Sequence, residues 1–294
     1  MFLSSKCMLC PRMCSVDRKE TVGFCGMKDT LKAARCAPHF WEEPPISGKR
    51  GSGAIFFSGC NLRCVYCQNF KISSGGFGKE ISDEKLEELM LSLQNRGVHN
   101  INLVTPTHFA GRICRVLDKI KPKLYIPVIY NCGGYESEET LKNLNGLIDI
   151  YLPDFKYKSE EAAVRLSRAP HYFEIASKAL ETMVKQVGKP RITDGIMQSG
   201  VIVRHMVLPG FSSDSLEILK YLDSSYEKGE ILLSLMSQYT PQNNCADKKL
   251  ARRVTSFEYG RAADFALKCG FKGFFQERSS AKTTYTPDFD LSGI

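Results

Sequence analysis

Three cysteines, Cys60, Cys64 and Cys67, fall within eight residues of the stretch Gly59-Cys60-Asn61-Leu62-Arg63-Cys64-Val65-Tyr66-Cys67-Gln68-Asn69. Thiolates at this spacing can wrap three corners of a cubic iron–sulfur cluster, but the loop cannot supply the fourth. One iron would then keep an open position, able to chelate the amino and carboxylate groups of a small molecule. A zinc ion borrowing a fourth thiol, or three unliganded buried cysteines, are the alternatives the spacing leaves open.

A second group of thiols, Cys7, Cys10, Cys14 and Cys25, precedes this loop, and eight of the twelve cysteines lie between Cys7 and Cys67. In a reducing compartment such clustering points to metal rather than to disulfides. Four thiolates suit either zinc or a 4Fe–4S cluster, with Cys36 and His39 as spare ligands. The stretch has little apolar periodicity, so a metal held there would contribute directly to its folding. Cys132 reads as a small buried apolar residue, unless substrate lies beside it and gives the thiol a chemical role. Cys114, Cys245 and Cys269 carry no assigned chemistry.

The remaining sequence must position these groups. With 294 residues, 43% of them hydrophobic, the chain can bury a full core. Residues 1–50 read as a cysteine-rich metal-binding extension, and 51–294 as a core domain with a C-terminal extension. In the core, short apolar runs at 54–58, 101–105, 125–130, 147–152, 200–207, 231–235 and 273–275 alternate with amphipathic helix signals. Continuous apolar runs of this length suit parallel strands covered on both faces. The clearest helix follows Ser82, with Asp83 and Glu84 in its first turn and Leu86, Leu89, Met90 and Leu93 on one face. Further helices are expected after Ser213 and over 251–268. This is an α/β chain, and about six strand–helix units predict a partial (β/α)6 barrel with its chemistry beyond the carboxyl ends of the strands.

The net charge of +8, from 40 Lys and Arg against 32 Asp and Glu, is too dilute to name nucleic acid as a partner. No apolar run approaches the ~20 residues of a membrane span, and the first residues lack the apolar stretch of a signal peptide, so no membrane contact and a cytoplasmic location are expected.

The Cys60–Cys67 loop, with the aromatic Tyr66 just before its last cysteine, resembles the radical S-adenosylmethionine (radical SAM) superfamily. That resemblance implies a reduced 4Fe–4S cluster that passes one electron to S-adenosylmethionine, giving methionine and a 5'-deoxyadenosyl radical that abstracts hydrogen from substrate. It further implies an electron donor such as flavodoxin or ferredoxin. Later strand ends are similar to those of pyruvate formate-lyase activating enzyme, an activase of glycyl radical enzymes. Thr105 and Thr107 stand where those activases place a Gly-Gly-Glu turn for the cofactor's ammonium, and Asn131 lies in the counterpart of their Asp-Thr-Asn-Gly stretch. Asp154 and Lys156 match their Asp-x-Lys strand end. Arg204, in Val203-Arg204-His205-Met206-Val207-Leu208-Pro209-Gly210, stands where an arginine contacts the cofactor. Neighbours on a strand point to opposite faces, so one of Arg204 and His205 need face inward. The N-terminal module, Glu42 to Gly48, and the segments from Phe275 to Ser280 and Pro287 to Leu291 resemble a group of radical SAM proteins labelled as homologues of that activase.

Together these expectations give a radical SAM enzyme, with a glycyl radical enzyme as one candidate protein substrate. Modification of a small molecule, a peptide or RNA is the second reading. A zinc or iron–sulfur nucleic-acid-binding module without catalysis is the third, favoured by the charge and the cysteine-rich start.

Overall fold

The structure, a computed structural model, describes residues 6–241, 247–276 and 286–294. Cys245 and most of the 275–280 motif lie outside the described residues. In chain order the elements open with strand β1 (Leu31–His39), the short helix α1 (Pro44–Ser47), β2 (Ser52–Phe57), α2 (Phe70–Ser73), β3 (Lys79–Ile81) and α3 (Asp83–Asn95). There follow β4 (Ile101–Val104), α4 (Ala110–Ile120), β5 (Val128–Cys132), α5 (Glu138–Asn143), β6 (Ile150–Pro153), α6 (Glu160–Ser167) and α7 (Tyr172–Val187). The chain closes with β7 (Arg191–Thr193), β8 (Ile196–Met206), α8 (Ser212–Ser225), β9 (Leu232–Met236), α9 (Ser256–Lys268) and β10 (Gly273–Phe275).

The sheet runs β10-β9-β8-β6-β5-β4-β2-β1-β3, with β2, β4, β5, β6, β8, β9 and β10 all parallel. Strand–helix alternation therefore builds the expected partial barrel. Each strand sends alternate residues to two different cores. Val128, Tyr130 and Cys132 of β5 join the large cluster that holds Leu86, Ile113, Leu180 and Met183 of the helices, so that face is the outer one. Ile129 packs instead with Ile150, Leu152, Ile202 and Leu232, an inner layer shared by four strands.

Helix starts follow local chemistry. The Ser82 side chain accepts from the Lys85 amide at the start of α3, and Thr255 with Glu258 forms a reciprocal capping box at the start of α9. Both satisfy amides that a helix leaves unpaired at its first turn.

Four differences from the sequence expectations have physical causes. The strand expected at 125–130 lies at Val128–Cys132, because Tyr125 is exposed and pairing begins at the Pro127 carbonyl, which accepts from the Ile101 amide at 2.9 Å. The strand expected at 200–207 starts at Ile196, since β7 and β8 form a hairpin across Asp194 and Gly195, both at positive φ (51° and 77°). An Asp-Gly pair is the standard signal for that two-residue turn. The boundary at residue 50 falls inside the fold: β1 pairs antiparallel with β2, and Leu31, Ala33 and Ile46 are fully buried. Finally, Ile46 of α1 packs into the inner layer as its floor, with its carbonyl accepting from Asn100 at 2.8 Å. Burial of such a side chain is worth about 1.5–3 kcal/mol.

The segment before β1 docks through arginines. Arg18 donates to the carbonyls of Met27 (3.2 Å), Lys28 (2.6 Å) and His108, and Arg12 donates to those of Asn61 (2.8 Å) and Arg168 while lying 3.8 Å over the Phe24 ring. No helix of the described residues is long and apolar enough to cross a membrane.

Candidate active site

Above the inner apolar layer, the same strand alternation turns polar side chains inward: Asn102 on β4, Asn131 on β5, Asp154 just beyond β6 and Arg204 on β8. They line, or lie beside, a cavity of ≈ 240 Å³ at the carboxyl ends of the strands. The loop after β2 brings Cys60, Cys64 and Cys67 to the same cavity. Burial pushes the Cys60 and Cys67 thiols up, and the charge of Cys64 adds to both. Binding a soft metal there would have to displace protons, as thiolate ligation generally does.

Beside the thiols, the Lys156 ammonium donates to Asp154 Oδ2 at 2.6 Å, and the Arg204 guanidinium approaches Asp154 Oδ1 at 3.3 Å. Burial alone would raise the Asp154 carboxyl, but these two cations outweigh it and hold the carboxyl below its ordinary range. The same attraction overcomes burial at Lys156 and holds its ammonium well above the usual range. The pair is therefore an ionised one inside a cavity, not a solvated pair at a strand end.

Arg204, which the resemblance places against the cofactor, is already occupied within the chain. One Nη donates to Glu42 Oε2 at 3.1 Å, the other donates to Asn131 Oδ1, and Nε faces Asp154. Two of its nitrogens donate to internal acceptors, while the buried Nε, without a hydrogen-bond partner, faces Asp154 as an ion pair. Glu42, which also accepts from Asn102 at 2.9 Å, was visible in the sequence only as part of a linker. Its neighbour Pro44-Pro45 and the apolar Ile46 carry the arm into the barrel, and no local pattern shows that the carboxylate ends beside Arg204.

Thr105 lines the cavity in a left-handed backbone conformation, φ 58°, with its amide donating to the Asn131 carbonyl at 2.8 Å. A β-branched residue held there stores strain of about 1–3 kcal/mol, as is common at functional sites. Thr107 does not reach the cavity, against expectation. Its hydroxyl donates to Glu136 at 2.8 Å behind the sheet, where Tyr130 donates to the same carboxylate at 3.1 Å. Cys132 lies close to Glu136, is buried in the helix-covered core and also borders the cavity.

His205 faces outward. Its ring nitrogens meet the Phe155 carbonyl at 2.7 Å and the Ser215 hydroxyl at 2.9 Å, and burial pushes the imidazole down to about 4, leaving it a neutral structural link. The Tyr66 ring walls the cavity while its hydroxyl turns to Tyr157 at 2.5 Å. Gly134, at φ 79°, lets the chain pass under this site: a Cβ there would sit 2.2 Å from the Asp154 carbonyl and 2.8 Å from Tyr172 Oη.

The N-terminal thiols gather beside the loop. Burial pushes Cys10 up to about 12 and raises Cys25, and each also feels Cys7. A Cβ on Gly23 would lie 3.6 Å from both Cys14 Sγ and Cys25 Sγ. The Cys60 amide donates to the Cys25 carbonyl at 3.4 Å, so the two cysteine groups are adjacent. Among the described residues no three His, Cys, Asp or Glu side chains close at single-ion distances. The spare ligands are elsewhere: Cys36 is buried in the main core, and His39 lies edge-on to Phe56 at 5.8 Å and lines the cavity.

A partial parallel barrel with a three-cysteine loop at its carboxyl end defines the class. The radical SAM superfamily model matches residues 54–222, more than half of the chain, and the chain belongs to that superfamily. Its enzymes use a 4Fe–4S cluster and S-adenosylmethionine. An uncharacterized protein of Methanocaldococcus jannaschii is 29% identical over 272 residues, covering 89% of this chain and 74% of that protein. Streptococcus suis SuiB bound to precursor peptide SuiA shares the fold at a TM-score of 0.51 and 10% identity, over 74% of this chain and 46% of SuiB. HydG, a maturase of the FeFe-hydrogenase, does so at 0.50 and 13%, over 79% of this chain and 53% of HydG. The chain thus spans about half the length of these solved structures, and identities this low carry the fold alone.

Proposed function

We propose that Cys60, Cys64 and Cys67 hold three irons of the 4Fe–4S cluster, and that Thr105, Asn131, Asp154 and Lys156 receive S-adenosylmethionine beside it. One observation supports this most: the three thiols and the Asp154–Lys156 pair, far apart in sequence, line one cavity. The donor set suits both groups, with thiolates for iron and fixed opposite charges for the carboxylate and ammonium of a zwitterion. When bound, the cluster and S-adenosylmethionine supply reductive cleavage to methionine and a 5'-deoxyadenosyl radical that takes hydrogen from substrate. The chain's own residues hold and orient. Lys156 is a cation fixed by Asp154, and Arg204 holds Asp154 and Asn131 in place rather than gripping the cofactor itself. Tyr66 and the surrounding apolar walls keep water out.

The finer reading is activation of a partner glycyl radical enzyme, with a flavodoxin- or ferredoxin-class electron donor. It is supported by the resemblance of 149–156 and 203–210 to the activases. We read the described residues 6–29 of the N-terminal segment as a docked extension whose Cys7, Cys10, Cys14 and Cys25 bind zinc or a second 4Fe–4S cluster, which the pairwise proximity of these thiols supports.

Anaerobically reconstituted protein with dithionite should form 5'-deoxyadenosine and methionine, and Cys64→Ala should abolish both. A full, reducible cluster without turnover would overturn the assignment. A doublet on the glycine of a candidate partner in electron paramagnetic resonance would decide for the activase. Iron retained at about four per chain in protein lacking the Cys60, Cys64 and Cys67 thiols would favour a second cluster over zinc.

A further inference from the structure

Each of the three loop sulfurs has a hydrogen-bond partner, and two of the three come from outside the loop. The Leu62 amide donates to Cys60 Sγ at 3.4 Å, the Ser73 hydroxyl lies 3.2 Å from Cys67 Sγ, and the Ser167 hydroxyl donates to Cys64 Sγ at 2.9 Å. Ser167 ends a buried file. Its Oγ lies 2.6 Å from Tyr157 Oη, which lies 2.5 Å from Tyr66 Oη. The file starts at Tyr66, two residues from Cys64, leaves the loop and returns to its sulfur.

A metal-bound thiolate has no proton and can only accept. That fixes the direction of every member: Tyr66 donates to Tyr157, Tyr157 to Ser167, and Ser167 to the sulfur. Ser167, Tyr157 and Tyr66 are 0%, 1% and 4% exposed, so water does not compete. Ser167 is held in place by the backbone: the Arg63 amide donates to its carbonyl at 3.1 Å, and the Val65 amide to that of Leu166 at 2.9 Å.

We propose that Ser167, polarised by Tyr157 and Tyr66, and Ser73 on the neighbouring sulfur are positioning residues that raise the reduction potential of the cluster. One-electron reduction adds negative charge that the sulfurs share, and a donor aimed at sulfur stabilises the reduced state more than the oxidised one. In a dry, low-dielectric site each hydroxyl strengthens the next. The inference rests on the reading of Cys64 and Cys67 as cluster ligands.

The test is a redox titration of the reconstituted protein, without S-adenosylmethionine, followed by electron paramagnetic resonance. Ser167→Ala should lower the reduction equilibrium at least tenfold, a shift of about 59 mV to more negative potential for one electron. Tyr157→Phe keeps the ring and its packing and loses only the polarising hydroxyl; it should shift the potential in the same direction by less. Ser73→Ala should shift it separately and add to Ser167→Ala. Wild-type potentials in both Ser167→Ala and Tyr157→Phe at full iron content would overturn the inference. If Ser167→Ala fails to assemble, Tyr157→Phe alone decides. An unchanged signal in protein lacking all three loop cysteines would instead overturn the ligand assignment.

Discussion

Glu136 should make the stability of this protein depend on pH across the neutral range. It is 1% exposed and ties the segments following β4 and β5 together by accepting from Thr107 and Tyr130. Burial pushes its carboxyl from 4.5 up to about 7, against the pull of those donors. The folded state thus holds the proton more tightly than the unfolded one. Its contribution is fully favourable below about pH 4.5, declines as pH rises, and levels off above about pH 7. The whole change amounts to about 3 kcal/mol, of which about 2 kcal/mol falls between pH 5.5 and 8. Glu136→Gln removes the ionisation and leaves the size of the side chain. At an unfolding entropy of about 2.1 cal/mol/K per residue a chain this long shifts by roughly 1.6 °C per kcal/mol, so the wild-type melting temperature should drop about 3 °C more than that of the variant between those two pH values. Anaerobic thermal unfolding by circular dichroism measures both slopes. Parallel slopes would refute a buried, proton-holding carboxyl at this position.

Three further outcomes are expected. Gly134→Ala, whose Cβ would sit 2.2 Å from the Asp154 carbonyl at a positive φ, should cost about 1–3 kcal/mol and lower S-adenosylmethionine cleavage more than iron content, as iron analysis and product assay would show. Ile46→Ala should open a void in the barrel floor and cost about 2–5 kcal/mol in thermal unfolding. Cys25→Ser should reduce N-terminal metal content while Cys36→Ser leaves it unchanged, since Cys36 is buried in the main core; metal analysis of the two variants separates them.

Much of the core could be read from the chain. Seven short apolar runs corresponded to seven parallel strands because a strand covered on both faces has to be apolar at nearly every position. The loop of Cys60, Cys64 and Cys67 was legible for a similar reason, being a local motif whose spacing is its chemistry. The antiparallel strands were harder. β1 carries Arg35 and His39 among its apolar residues, and β7 is exposed throughout, so neither shows a continuous apolar run. The Asp194-Gly195 pair is the one local signal of the β7–β8 hairpin.

The three-thiol loop, the alternation of strand and helix and the helix caps are local, each set by residues within a few positions of one another. Long-range packing brings Glu42 to Arg204 across 162 positions, turns Thr107 to Glu136 and carries Ser167 to Cys64 across 103. Those contacts depend on which face of each strand looks inward and on where a distant loop returns, and no local pattern of residue types encodes either.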